Sequence, residues 1–177
     1  MGRSDYFRYA LTLAVICFVA SAMLGAVYSL TNPIILSQQA LREESGLREV
    51  LPEAKSFEAV KEGENIIYYI AFGPDKRVLG YVFKASKKGY SAEIVTMVSM
   101  DKDGFISRIK ILSQNETPGI GTKIIDSLWF LGQFMGKNAD DLGNGVQAIT
   151  GATITSRAVI DSIKEKAKEI MGRVHGR

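Results

Sequence analysis

Hydroxyl side chains and very small residues are concentrated in one short stretch near the C-terminus of the chain. Immediately before a segment with helical periodicity lie Thr150, Gly151, Ala152, Thr153, Thr155 and Ser156. A helix N-terminus offers unpaired backbone N–H groups and the positive end of the helix dipole, so a phosphate group is stabilised there. Gly151 and Ala152 would leave the Thr153 hydroxyl open to a modifying enzyme. The pattern is equally consistent with a plain turn in which Thr155 or Ser156 caps the helix.

A second loop rich in glycine and proline lies between a strand-like and a helix-like segment. It runs from Asn115 to Lys123 and reads Asn-Glu-Thr-Pro-Gly-Ile-Gly-Thr-Lys. Pro118 fixes one backbone angle, whereas Gly119 and Gly121 permit conformations closed to other residues. Such a loop can bring backbone N–H groups against a flat or anionic ligand, although an ordinary strand-to-helix turn also explains it. It is not a P-loop, because the Gly-x4-Gly-Lys-Ser/Thr spacing is absent.

The composition argues against several other chemistries. The chain of 177 residues has one cysteine, Cys17, and one histidine, His175, so an internal disulfide is impossible and the usual zinc and iron–sulfur ligand sets are missing. A catalytic dyad or triad that needs histidine has almost no candidate. The net charge is only +3, and basic residues mostly alternate with acidic ones, which excludes the clustered basic face of a nucleic-acid binder. No metal site is predicted.

An uncharged segment near the N-terminus predicts a membrane anchor. Residues 9–30 contain no charged side chain, and as a helix they would extend about 33 Å, enough to cross a hydrocarbon core. A cleaved signal peptide is the main alternative because Ala20-x-Ala22 resembles a cleavage site, but the apolar run continues beyond it. Arg3 and Arg8 precede the segment, so the positive-inside rule predicts a cytoplasmic N-terminus.

The rest of the chain has the pattern of one α+β domain with an antiparallel sheet. Ile34 to Val50 is helical in pattern and ends before Pro52. Strands are predicted at 66–72, 79–86, 92–100 and 105–113, with a tight hairpin at Asp101-Lys102-Asp103-Gly104. Two amphipathic helices follow, one marked by Ile124, Leu128, Leu131 and Met135 and the other by Val159, Ile163, Ala167 and Ile170. We therefore expect an N-terminal tail (1–8), a transmembrane helix (9–30), a juxtamembrane helix or linker (31–52) and a folded domain (53–177).

Both loops resemble signatures of the FMN-binding domain family. Thr150-Gly151-Ala152-Thr153, followed by Thr155-Ser156, is similar to its Ser/Thr-Gly-Ala-Thr flavinylation motif, and Glu116-Thr117-Pro118-Gly119-Ile120-Gly121 is similar to its second signature. The segment from Met97 to Gly104 and the single anchor also match. The chain looks most like the G subunits of Rnf electron-transport complexes, with the C subunits of sodium-translocating NADH:quinone reductases as the alternative. Gln147 and Gln114 depart from the family pattern.

This resemblance implies a cofactor, a site and partners. In the family a flavin transferase uses FAD to place FMN on the last Thr of the motif, which corresponds to Thr153. The loop with Glu116, Thr117, Pro118, Gly119 and Gly121 would lie against the flavin, and Lys123 would add charge nearby. The implied function is an electron carrier in a membrane complex that couples electron flow between ferredoxin and NAD to movement of Na⁺ or H⁺. Other subunits of that complex are the implied partners. A reversible flavin-binding domain and an assembly subunit without flavin remain as alternatives.

Overall fold

The computed structural model describes residues 3–116, 122, 124 and 127–176. The chain divides into two compact units, residues 1–42 and residues 43–177. The second unit contains the sheet, the later helices and both loops identified from the sequence.

A single long helix, α1, runs from Arg3 to Val50. It continues through Pro33, a residue that removes one backbone hydrogen bond from a helix interior. Its N-terminal part carries exposed large apolar side chains, including Phe18, Leu24 and Leu30. In the part of the chain that the structure describes, α1 is the one helix that is long and apolar enough to cross a membrane.

Five antiparallel strands form a sheet in which each strand pairs with its neighbours in the chain. Their bounds are β1 Ser56–Glu62, β2 Asn65–Phe72, β3 Val78–Lys88, β4 Glu93–Asp101 and β5 Ile106–Ser113. The predicted α+β class with an antiparallel sheet is confirmed, and β2 to β5 correspond to the four predicted strands. Strand β1 was not predicted, because its sequence Ser-Phe-Glu-Ala-Val-Lys-Glu is nearly half charged and lies at an exposed edge.

The predicted hairpin joins β4 and β5. Asp101 Oδ1 accepts hydrogen bonds from the backbone N–H groups of Asp103 and Phe105, both at 2.9 Å. Gly104 has φ of +88°, a conformation that glycine adopts without strain. An Asp side chain that bonds to the turn backbone and a glycine with positive φ are what a tight hairpin requires.

Among residues 127–176, all of which the structure describes, three further helices lie after the sheet: α2 Leu128–Gly132, α3 Leu142–Gly145 and α4 Thr153–His175. The prediction for α4 is confirmed, since Val159, Ile163, Ala167 and Ile170 are all buried. The apolar face predicted for the other amphipathic helix is confirmed for Ile124, which is fully buried, and for Leu131, which packs against the core, but it is wrong for Leu128 and Met135, which are exposed. Phe130 and Phe134, which were not part of the prediction, are fully buried. The two buried rings lie edge to face with centroids 5.3 Å apart, so aromatic packing rather than the spacing of the aliphatic residues sets the buried side.

The two faces of the sheet bury separate apolar clusters. Side chains alternate between the faces along a strand, so Phe83 and Val98 lie in the cluster beneath α4, while Val82 and Met97 lie in the other. The second cluster also contains Leu47 and Val50, from the last turns of α1. These turns therefore form part of the core of the second unit.

Candidate functional site

Helix α4 begins at Thr153, inside the stretch that carries the predicted phosphate site. The residue before it, Ala152, has φ of −125° and ψ of 32°, and no side chain caps the helix. Gly151 has φ of +82°, which favours glycine at this position. Because the start of α4 has no side-chain cap, its first backbone N–H groups keep their capacity to bind an anion.

The capped-turn alternative is wrong, because Thr155 and Ser156 lie within the first turn of α4 and their hydroxyls bond elsewhere. Ser156 Oγ accepts the backbone N–H of Ile149 at 3.1 Å and so holds the preceding loop. Thr155 Oγ1 donates to Glu116 Oε2 at 3.0 Å. Both side chains are buried, whereas Thr153 and Thr150 are exposed.

Glu116 connects the two loops that the sequence singled out. Its Oε1 accepts the backbone N–H groups of Ser91 at 3.0 Å and Ala92 at 3.1 Å, and its Oε2 accepts the hydroxyl of Thr155. The residue is only 6% exposed. One carboxylate therefore joins the turn between β3 and β4, the segment after β5, and the first turn of α4.

Gly89 makes room for this carboxylate. A Cβ atom at Gly89 would lie 2.5 Å from Glu116 Oε1 and 2.7 Å from Ile94 Cδ1. Its backbone N–H donates to Ala92 O at 2.8 Å, which closes the turn. Sequence reasoning missed this turn, although the run Gly89-Tyr90-Ser91-Ala92 between two apolar strands was a recognisable signal.

The environment of Glu116 favours its ionised form. Burial raises the pKa of this carboxyl group, but the backbone N–H groups of Ala92 and Ser91, the Thr155 hydroxyl and the backbone N–H of Tyr90 together hold its pKa below the ordinary value of 4.5. A negative charge thus lies beneath the first turn of α4 at neutral pH.

The structure brings some of the predicted site residues together. Glu116, Thr155 and Ser156 are buried around the start of α4, Ala152 is buried before it, and Thr150, Gly151 and Thr153 are exposed. Thr117, Pro118, Gly119, Gly121 and Lys123 lie outside the described residues.

The two positions that depart from the family pattern make local hydrogen bonds. Gln114 Oε1 accepts the backbone N–H of Glu116 at 2.6 Å. Gln147 bonds through its backbone, with its N–H donated to Gln133 Oε1 at 2.8 Å and its carbonyl accepting Gln133 Nε2 at 3.3 Å. The Gln147 side chain is exposed.

The start of α4 fits a phosphate group. Thr153 presents an exposed hydroxyl at the first helical position, with uncapped N–H groups beside it and small residues on the preceding side. The arrangement offers an oxygen for ester formation and a positive helix end for the phosphate charge.

Comparison with known proteins gives two family matches along this chain. The FMN-binding domain family matches residues 89–168, which include the turn at Gly89, Glu116 and the start of α4. The RnfG N-terminal region family matches residues 1–50, a range that includes α1.

Curated relatives match over nearly the whole chain. The G subunit of the proton-translocating ferredoxin:NAD(+) oxidoreductase complex of Clostridium ljungdahlii is 31% identical, covering 95% of this chain and 93% of that protein. The G subunit of the ion-translocating oxidoreductase complex of Methanosarcina acetivorans is 31% identical, covering 88% and 89%. The G subunit of the Na(+)-translocating ferredoxin:NAD(+) oxidoreductase complex of Acetobacterium woodii is 32% identical, covering 89% of each.

Solved structures support the fold. NqrC of Shewanella oneidensis superposes with a TM-score of 0.53 at 21% identity, covering 72% of this chain and 74% of that one. The C subunit of the Na(+)-translocating NADH-quinone reductase of Parabacteroides distasonis gives a TM-score of 0.56 at 18% identity, covering 77% and 94%. The folded domain thus has the same architecture as those proteins, while sequence identity over the full length shows that the chain belongs to the family of G subunits of ion-translocating (Rnf) oxidoreductase complexes.

Proposed function

We propose that this chain is a membrane-anchored electron-carrier subunit that holds FMN through a phosphoester bond to Thr153. The complex it serves passes electrons between ferredoxin and NAD and couples their flow to movement of Na⁺ or H⁺. Family membership supports the complex, and the FMN-binding domain match over 89–168 supports the cofactor.

The observation that best supports attachment at Thr153 is the geometry at the start of α4. Thr153 is exposed at the first position of a 23-residue helix that has no side-chain cap. A hydroxyl placed there can be esterified without unfolding the helix, and the phosphate then lies at the positive end of the helix dipole. The neighbouring hydroxyls of Thr155 and Ser156 are buried and hydrogen-bonded, so they do not compete with Thr153.

Attachment requires a flavin transferase that uses FAD. The Thr153 Oγ1 forms a bond to the phosphorus of the FMN half, the pyrophosphate bond of FAD breaks, AMP leaves, and the hydroxyl proton is released. No redox change accompanies this transfer. The roles of this chain are to expose Thr153 and to keep its helix turn in place.

Bound FMN supplies the ability to exchange electrons singly or in pairs, which links one-electron and two-electron carriers. The protein's own contribution is binding and orientation. The residues that follow the buried Glu116, namely Thr117, Pro118, Gly119 and Gly121, are proposed to form the second side of the site, with Lys123 adding positive charge. Thr150, Gly151 and Ala152 form the approach to Thr153.

The proposed partners and location follow from the same assignment. Other membrane and peripheral subunits of the complex contact this chain, and the helix of residues 9–30 anchors it in the cytoplasmic membrane. The FMN-binding domain, residues 53–177, lies outside, where lost FMN would not be replaced. A covalent bond keeps the cofactor in place there.

The decisive experiment is to denature the protein isolated from its native membrane and to examine the chain for flavin. We expect yellow fluorescence to stay with the chain on a denaturing gel and the intact mass to include one esterified FMN. Thr153→Ala should abolish both signals, whereas Thr150→Ala, which removes a neighbouring exposed hydroxyl, should retain them. Release of all flavin on denaturation would instead indicate the reversible binding alternative, and a chain without flavin would indicate an assembly subunit.

A further inference from the structure

The carboxylate of Glu116 is occupied by contacts within the protein. Its two oxygens accept hydrogen bonds from Ser91 N, Ala92 N and Thr155 Oγ1, and the residue is 6% exposed. A carboxylate in this position has little surface left to contact a cofactor. The sequence predicted that Glu116 lies against the flavin, but these internal hydrogen bonds point to a different role for its carboxylate.

We propose that Glu116 is a positioning residue that acts through Thr155 to fix the first turn of α4, and with it the orientation of Thr153. Thr155 is the third residue of α4 and lies two positions after Thr153. The first backbone hydrogen bond within the helix joins Ser156 N to Ala152 O at 2.8 Å, so the residues before Ser156 lack this support for their N–H groups. The Glu116–Thr155 bond does not satisfy these N–H groups, but it restrains the same turn from outside the helix by tethering the Thr155 side chain.

The turn between β3 and β4 gives Glu116 a fixed point on the sheet. Gly89 N bonds to Ala92 O at 2.8 Å, and the close approach of Glu116 Oε1 to the Gly89 backbone leaves no room for a Cβ atom. The carboxylate is therefore held by a turn that is anchored in two strands. Through Glu116, the start of α4 is therefore held at a fixed place relative to β3 and β4.

The role rests on the proposed function, because it concerns the presentation of Thr153 to a transferase and to FMN. It differs from a charge contact with the cofactor in one testable respect. A glutamine at 116 can still accept from Ser91 and Ala92 with its carbonyl oxygen and can donate its amide N–H to Thr155 Oγ1. A positioning role is therefore largely preserved in Glu116→Gln and lost in Glu116→Ala.

The first measurement needs no flavin. Backbone amide hydrogen exchange of the full-length protein, purified without the transferase, is compared between wild type, Glu116→Gln and Glu116→Ala. In Glu116→Ala we expect the amides of Ser91, Ala92 and Ser156 to exchange about tenfold faster or more, because their hydrogen-bonded partner or its support is lost. The amide of Ile163, deeper in α4, should keep its protection, and Glu116→Gln should stay close to wild type.

The second measurement is the rate at which purified flavin transferase with FAD loads each variant, followed by intact mass. We expect Glu116→Ala, Thr155→Val and Gly89→Ala to load about tenfold more slowly or worse, while Glu116→Gln and Thr155→Ser stay within about threefold of wild type. Gly172→Ala is the matched control for Gly89→Ala: it lies in the same helix as Thr153, and a Cβ atom there meets nothing within 4 Å.

Three results would overturn the proposal. If Glu116→Gln loads as slowly as Glu116→Ala, the carboxylate charge itself acts on the substrate, and if every variant loads like wild type, the first turn of α4 does not depend on Glu116. Uniformly faster exchange across α4 in Glu116→Ala would also contradict a local role. Failure of the wild-type chain to load would instead count against the proposed function, and the exchange measurement would still decide whether Glu116 fixes the turn.

Discussion

A buried carboxylate such as that of Glu116 is stable only when its oxygens are hydrogen-bonded, because transfer of a charge out of water is costly. Two backbone N–H groups and one hydroxyl meet this requirement in the present fold. Removing one partner of such a group leaves the others buried without a bond, which costs more than the bond itself contributed. Substitutions at Glu116 therefore test the site and the stability of the fold together.

The lowered pKa of Glu116 makes its contribution to stability depend on pH. A carboxyl whose pKa is lower in the folded state than its ordinary value of 4.5 stabilises the fold above that value, and this stability is lost as pH falls through the folded pKa. We expect Glu116→Gln, which keeps the hydrogen-bond partners but loses the charge, to lower the unfolding free energy by only about 0.5 kcal/mol at pH 7 and by less as the pH is lowered below 4.5. Chemical denaturation followed by circular dichroism at several pH values measures the difference.

Glu64→Gln, on the exposed turn between β1 and β2, is the matched control for loss of one negative charge. A stability difference for Glu116→Gln that stayed constant from pH 7 to pH 3 would contradict the assigned environment.

At the site, the sequence allowed the kinds of functional residue to be predicted, but not the contacts between residues that are distant in the chain. The hydroxyl cluster at the start of α4 was recognisable, because a helix start next to glycine and alanine is a local pattern. That Thr155 bonds to Glu116 was not, since the two residues are 39 positions apart and meet only after the sheet has formed. The role of Gly89 was missed for the same reason, because its need for space arises from the side chain of Glu116, which is distant in the chain.

At the scale of elements, the last turns of α1 are built into the sheet domain. Tyr69 OH from β2 donates to Glu43, and Lys84 Nζ from β3 donates to the other carboxylate oxygen at 2.9 Å. Leu47 and Val50 are buried against the same face. Polar and apolar contacts thus hold residues 43–50 against the sheet within the second unit.

Ser99 joins three of these elements with one hydroxyl. Its Oγ donates to Val50 O at the end of α1 at 2.7 Å and accepts the N–H of Arg108 from β5 at 3.0 Å, at a place where the register between β4 and β5 shifts. We expect Ser99→Ala to lower the unfolding free energy by about 1–3 kcal/mol, because the buried carbonyl of Val50 and the partly buried N–H of Arg108 lose their partner. Chemical denaturation measures the change, with Ser113→Ala at the exposed end of β5 as control. Equal stability of the two variants would show that Ser99 is replaceable by water.

Elements with strong alternation or helical periodicity were predictable, whereas those set by tertiary packing were not. Strands β2 to β5 and helix α4 have apolar residues at the spacing that their burial requires. Strand β1 lacks that spacing and is defined by its pairing with β2. In α2, the apolar residues Leu128, Trp129, Phe130 and Leu131 are consecutive, so spacing could not show which of them faces the core.

For the whole molecule, the two units call for different environments. The first unit is dominated by exposed apolar side chains of α1, which water does not favour, whereas the second buries its apolar residues in two clusters. The family match of residues 1–50 is separate from that of residues 89–168. A membrane anchor joined to an FMN-binding domain explains both the two structural units and the two separate family matches.

The orientation of this chain across the membrane is testable with its own cysteine content. Cys17 is the only cysteine, so Cys17→Ser gives a background into which one new thiol can be placed. Because Arg3 and Arg8 precede the uncharged segment, we expect residue 4 to face the cytoplasm and the exposed hairpin at Lys102 to face outward. A membrane-impermeant maleimide added to intact cells (spheroplasts where an outer layer blocks access) should label Lys102→Cys directly and Ser4→Cys only after permeabilisation. The reverse pattern would place the domain in the cytoplasm, where FMN is replenished, and a covalent bond would then no longer be needed to retain the cofactor.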